Sequence, residues 1–249
     1  MRWLCFLLLL SPAAAAQSAG APTLRFDLTL IPATRDSFLF RLNGAVRGWA
    51  VWQYEIRTRE TADEVLYTAT SELQPAEAER LRVVLDRRTA APRASFHHID
   101  LFSPTSDTVM LEHDLAVAPA EITGRRRVGM KSGAVTTVTV RRRIPPGTVL
   151  HDDYALLAAA VTNAAPGDSL AAPAYSEFAD SLTTLSFVAE RPTTIEVPAG
   201  RFEVLPLRTG AFRVYVTERA PRRVVKGETL DGAFAFELVH SGPVLTSAE

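Results

Sequence analysis

The sequence predicts an all-β fold: an antiparallel, strongly curved sheet forming a barrel or half-barrel, with one short helix near residues 152–163. Three observations lead there. Apolar and polar side chains alternate at period two, as where Phe212, Val214 and Val216 interleave with Arg213, Tyr215 and Thr217, the pattern of a strand with one buried face. Turn signals recur at short spacing, among them Asn43-Gly44, Lys131-Ser132-Gly133, Thr209-Gly210 and Asp231-Gly232. Only one stretch has helical spacing, whereas a Rossmann-like α/β fold requires recurrent helices. Many strands joined by short turns favour a meander that curls on itself.

In chain order, Leu24, Phe26, Leu28 and Leu30 alternate with polar residues and predict a first half-buried strand. Phe38 to Leu42 follows, then the Asn43-Gly44 turn, a bend or bulge at Gly48, and the aromatic-rich run Trp49 to Thr58. Val65 to Leu73 and Leu81 to Leu85 continue the series. Ala94 to Phe102 pairs with Thr108 to His113 across Ser103–Asp107, and Glu121 to Val128 with Val135 to Arg143 across Lys131-Ser132-Gly133. Tyr154 to Thr162 carries Leu156, Leu157, Ala160 and Val161 at helix spacing, with Asp152 or Asp153 as cap and Asn163 and Pro166-Gly167 as stop. The Ala/Pro-rich stretch Ala164 to Pro173 reads as a flexible loop. Further on, Pro198-Ala199-Gly200 turns a bulged hairpin, Ala220-Pro221 breaks the pattern, and Asp231-Gly232 signals a type I′ hairpin between Arg222–Thr229 and Ala233–His240.

The N-terminus reads as a secretory signal, residues 1–16. Arg2 supplies a positive charge, Trp3 to Leu10 is apolar, and Ala14 and Ala16 fill the small positions of an Ala-x-Ala cleavage site. The apolar run is far short of the ~20 residues a spanning helix needs. Residues 17–249 then form one exported β-rich domain, with a loop or subdomain joint near 144–175, placed in the periplasm or outer envelope. Cys5 is the one cysteine and falls inside the signal, so the mature chain has no disulfide and no thiolate chemistry.

The formal net charge is −1, which argues against bulk attraction to nucleic acid. Lys131 and Lys226 are the only lysines. Arg125, Arg126 and Arg127 and the second run Arg141, Arg142 and Arg143 sit at the ends of one predicted hairpin. Side by side they would make a basic patch for a phosphate or anionic headgroup; charged strand ends also serve to block edge pairing. Trp49, Trp52 and Tyr54 either line a cavity or pack in the core. The histidines are His97, His98, His113, His151 and His240. Adjacent strand residues face opposite ways, so His97 and His98 cannot share a metal, and no His-x-His or His-Glu-x-x-His spacing exists. The expectation is scattered packing or surface histidines, no metal and no cofactor.

Gly167-Asp168-Ser169-Leu170 spells the nucleophile block of the GDSL hydrolases, in which a late Asp-x-x-His supplies the base. Here the tetrad follows a helix and a Pro, and the late histidine stands in Glu237-Leu238-Val239-His240, which lacks the Asp. A motif without its context predicts a Pro-Gly turn opening a strand.

Val197-Pro198-Ala199-Gly200-Arg201-Phe202, then Pro221-Arg222-Arg223-Val224-Val225-Lys226 and Glu237-Leu238-Val239, resemble the C-terminal signature of an exported bacterial family of unknown function. Asp152-Asp153-Tyr154-Ala155-Leu156-Leu157 before Pro166-Gly167 is similar to that family's helix, and Arg87 to Pro92 to one of its turns. The chain departs from it at Arg213-Val214-Tyr215-Val216, where many members place a Trp. The resemblance implies a curved periplasmic sheet, similar in general fold to envelope lipoprotein carriers, and carries over no catalytic residue. The function expected is non-enzymatic binding of a hydrophobic or lipid-like ligand. The alternative is an envelope structural or protein-interaction factor with a dry core; a serine hydrolase ranks third.

Overall fold

The computed structural model describes residues 24–59 and 62–244. The predicted signal peptide lies outside them. No helix among the described residues is long and apolar enough to cross a membrane.

The described residues form sixteen strands and one α-helix. The first eight are β1 (Thr34–Leu42), β2 (Ala45–Arg59), β3 (Ala62–Leu73), β4 (Glu77–Asp86), β5 (Pro92–Leu101), β6 (Thr108–Ala118), β7 (Glu121–Met130) and β8 (Val135–Arg143). Then come β9 (Val149–Leu150), α1 (Ala155–Val161), β10 (Ser169–Ser176), β11 (Ser181–Ala189), β12 (Thr193–Val197), β13 (Gly200–Thr209), β14 (Phe212–Thr217), β15 (Val224–Thr229) and β16 (Phe234–Pro243). All belong to one sheet, in the order β8-β7-β6-β5-β4-β3-β2-β1-β16-β15-β14-β13-β11-β10-β9, with β12 paired to β13. Every pairing is antiparallel except β9 with β10. The sheet is an open, curved half-barrel. Its end strands β8 and β9 are consecutive in the chain and joined by residues 144–148, yet no backbone ladder closes that seam. Side chains cross near it instead: Arg142 forms a two-pronged ion pair with Asp180 at 2.9 and 2.8 Å, and Arg126 donates to the Phe178 carbonyl.

The concave face is one continuous core. Phe38, Trp52 and Phe236 are its aromatic centre, with ring centroids 4.2 to 5.5 Å apart. Gly227 stands opposite Phe236, and a Cβ there would lie 2.3 Å from the ring, so the missing side chain is what lets the ring lie flat. Gly48 is the predicted bulge: the β1–β2 register shifts between Phe40 and Arg41, and a Cβ at Gly48 would come within 1.9 Å of the Glu72 carbonyl oxygen. Helix α1 lies inside the curve against β14 and β15, with all of its residues but Leu156 buried. An apolar concave face must be covered, and this Ala-rich helix covers part of it.

Four local expectations are corrected. Leu28–Leu30 is a 3-10 turn rather than a strand, because the Asp27 carboxylate accepts hydrogen bonds from both the backbone N–H and the hydroxyl of Thr29, and Phe26 keeps only a single bridge to Thr162. Helix α1 starts later than predicted and has no side-chain cap; Asp152 and Asp153 bond elsewhere. Ser169 to Pro173 is strand β10 rather than flexible loop, paired along its length with β11. The β15–β16 turn is not type I′. Gly232 has positive φ while Asp231 does not, and the Asp231 carboxylate accepts from Ala233 N at 3.0 Å.

One buried acid stands apart from the site described below. Asp36 on β1 faces inward, and burial pushes its carboxyl above the usual range despite a bond from Ser241 and the charges of Arg223 and His240. A group whose folded pKa is raised weakens the fold as pH climbs from its unfolded pKa, about 3.9 for Asp, to its folded one. Asp36→Asn removes that loss. Urea midpoints should therefore show the variant gaining on the parent between pH 4 and 7, and a constant difference across that range would contradict the assignment.

Candidate functional site

Strands β5 and β6 pair in register so that His97 and His113 stand directly opposite each other on the concave face. His98, one residue on, points outward to Glu112 and Asp100. The segment between β9 and α1 drops Asp153 between the two inward imidazoles. Its Oδ1 lies 2.7 Å from His97 Nδ1 and its Oδ2 2.6 Å from His113 Nε2, and the Ser95 hydroxyl also donates to Oδ2. Asp153 and His113 side chains are wholly enclosed and His97 is 4% exposed. The Phe178 ring packs on both imidazoles, at 5.1 and 4.8 Å between centroids.

Behind this cluster sits Glu177, fully buried, accepting from the backbone N–H of Asp152 at 2.9 Å and of Asp153 at 3.3 Å. Asp152 in turn accepts from Ser176 Oγ and Phe178 N. Acids on two segments thus bind each other's backbone and hold the β9–α1 link against the β10–β11 turn. Burial works against the ionised form of Asp153, but the charges and hydrogen bonds of His113 and His97 hold its carboxyl far below the usual range. Glu177 moves the other way: burial first, then the charges of Asp153 and Asp152, push its carboxyl well up. His97 loses basicity to burial but gains more from Asp153, so it is raised. The outer nitrogens, His97 Nε2 and His113 Nδ1, are buried without a hydrogen-bond partner; Glu79 Oε2 stands 4.0 Å from the former.

Beside the cluster lies a cavity of about 110 Å³. Phe40, Trp52, Tyr67, Phe212, Val214 and Phe236 form its apolar walls, and Ala155 and Leu156 of α1 bound it. Its polar lining is Ser71, Glu77, Glu79, His97, Asp152, Asp153 and Thr209. Among the described residues no lysine or arginine lines it, so the polar side of the cavity is acidic.

No family model matches the chain, and no curated protein matches it. Two solved structures are similar in fold. One is a β-barrel-like protein of the domain of unknown function DUF1849 from Brucella abortus, 11% identical, covering 88% of this chain and 100% of that one, with a TM-score of 0.47. The other is a Bacteroides fragilis protein with a YmcC-like fold, inferred to be exported, 10% identical, covering 88% and 99%, with a TM-score of 0.32.

The residues singled out from sequence take other places. Arg125–Arg127 pair across the hairpin with residues 137–139 and Arg141–Arg143 with residues 121–123, so the two runs are offset rather than abreast. Most are engaged: Arg125 with Asp114, Arg127 with Glu112, Arg141 with Glu121, Arg142 with Asp180 and Arg126 with the Phe178 carbonyl. Arg143 is exposed at the end of β8. Trp52 and Tyr54 are buried, whereas Trp49 faces out at 43% exposure. Ser169 is exposed at the start of β10, and Asp168 caps its own turn through Ala165 N. His151 pairs with Asp152, and His240 lies near Asp36. The cluster at Asp153 was within reach of sequence reasoning on one side only. A hairpin turning about Thr105 sets His97 opposite His113, but nothing local reveals that Asp153 meets them.

Proposed function

We propose that the protein is a non-enzymatic binding module of the cell envelope whose half-barrel holds a small amphipathic molecule. The observation carrying this reading is the interior cavity with aromatic walls and an acidic side. At about 110 Å³ it is somewhat smaller than an engineered cavity of ~150 Å³ that holds benzene. The ligand is thus a short apolar group, smaller than an aromatic ring, with a cationic or hydrogen-bond-donating end set against Glu77, Glu79 and Asp152. A full acyl chain exceeds the space between α1 and the sheet, which narrows the lipid-like class to small or short-chain molecules. The position of Ser169, and of histidines bonded elsewhere, supports a binder over an ester hydrolase. Ser169→Ala is expected to leave any turnover of simple esters unchanged.

Trp52 lines the cavity and reports its filling. In a Trp49→Phe background, short-chain alkyl amines should change Trp52 emission saturably, and alkyl carboxylates of the same size should not. Ala69→Leu, which places a larger side chain in the cavity, should abolish the response with the far-UV dichroism unchanged. Extraction of protein purified from its own envelope should yield a small molecule near one per chain. Equal binding of amines and acids, or binding that survives Ala69→Leu, would overturn the reading.

The second reading, a protein-interaction factor, has one specific observation in its favour. Strand β8 ends the sheet with Val135 and Val138 exposed at 50% and 46%, which leaves an edge able to accept a partner strand.

A further inference from the structure

The geometry points to a buried site for one zinc-class divalent ion, held by His97 Nδ1, His113 Nε2 and the Asp153 carboxylate, with Ser95 Oγ as a fourth ligand. The three ligand groups present donor atoms within 4.8 Å of one another. They come from two paired strands and a third segment packed across them, so the donors converge from different directions. Donors around tetrahedral zinc sit at about 2.0–2.2 Å from the ion, hence about 3.3 Å from each other. The present N···O separations of 2.7 and 2.6 Å widen by about 0.6–0.7 Å when an ion at those bond lengths replaces the bridging protons.

Charge favours the exchange. Asp153 and Glu177 are enclosed side by side with Asp152 in contact, and Arg126 spends its guanidinium on the Phe178 carbonyl. A divalent cation offsets this concentration of carboxylates. Ion binding also moves each imidazole proton to the outer nitrogen, where His97 Nε2–H faces the Glu79 carboxylate 4.0 Å away. Ligating histidines commonly donate their second N–H to such a carboxylate. Two imidazoles and a carboxylate suit zinc, copper, iron or nickel better than magnesium or calcium. The enclosure by Phe178 and the serine oxygen favour a closed four-coordinate ion.

The test uses the full mature chain, freed of metal by chelator and dialysis, with Zn²⁺ and Co²⁺ as probes. One ion should bind per chain, the cobalt form should show the intense visible bands of a tetrahedral site, and the melting temperature should rise with metal. In the wild type, zinc should shift the ring-nitrogen NMR signals of His97 and His113 and leave those of His98 and His240 in place, a readout that needs no variant to fold. His97→Ala and His113→Ala should each weaken zinc by at least about 100-fold, the upper end of what second-sphere changes alone cost; His98→Ala, on the outer face, should bind like the parent. The proposal falls if metal uptake is not saturable at one ion, or if zinc leaves the His97 and His113 signals unmoved. It falls equally if binding survives both cluster variants.

Discussion

Asp153→Ala, measured on chelator-treated protein, is expected to lower folding stability by about 3–5 kcal/mol, the cost of removing one partner from a buried charged network. The urea midpoint should drop with little change in slope. The size follows from what the carboxylate does. It satisfies Ser95, His97 and His113 at once in a space closed to water. Alanine leaves those donors orphaned and uncouples the β9–α1 link from β5 and β6. Ser95→Ala removes a single donor and should cost about 1 kcal/mol. A loss below 1 kcal/mol in Asp153→Ala would mean that the link is held by Glu177 and Asp152 alone.

Phe236→Ala is expected to be as severe, about 3–5 kcal/mol, with a second consequence that distinguishes it. Phe236 is fully buried, touches the rings of Phe38, Trp52 and Phe212, and walls the cavity. Truncation both removes packing and enlarges the hollow. The variant should then recover part of its stability on adding a small neutral aromatic such as benzene or indole, seen as a ligand-dependent rise in melting temperature. A variant equally destabilised but indifferent to such molecules would show that the neighbouring rings had collapsed into the gap.

Much of the fold is legible in the sequence because strands declare themselves locally. Alternation at Phe234, Phe236 and Leu238 gives the buried face of β16, and Asn43-Gly44, both at positive φ, gives the β1–β2 turn. What misleads is local chemistry with two outlets. Asp27 precedes an alternating run, yet its carboxylate folds back on Thr29 and breaks the strand. Asp153 precedes a helical run, where an acid ordinarily caps, yet bonds to imidazoles some forty and more residues earlier. The candidate site depends on that choice, and a capping rule cannot see it because the competing partners are distant in sequence. The arginine runs lie on the hairpin the sequence indicates, but the register, which is non-local, offsets them, and acidic neighbours pair with Arg125, Arg127, Arg141 and Arg142.

The pairing of β1 with β16 has a bearing on how the chain reaches this state. From β1 to β8 every strand pairs with its sequence neighbour, and from β9 to β16 nearly every one does. Two meanders can therefore each assemble from short-range contacts, whose closure entropy is small. The β1–β16 ladder joins residues about two hundred positions apart, from Thr34 with Pro243 to Leu42 with Phe234. Contacts of such high order are slow to form, so docking of two preformed halves along this ladder is the natural rate-limiting step. Substitutions inside it, such as Phe38→Ala, would slow folding, whereas those near the open seam, such as Arg142→Ala, would chiefly speed unfolding.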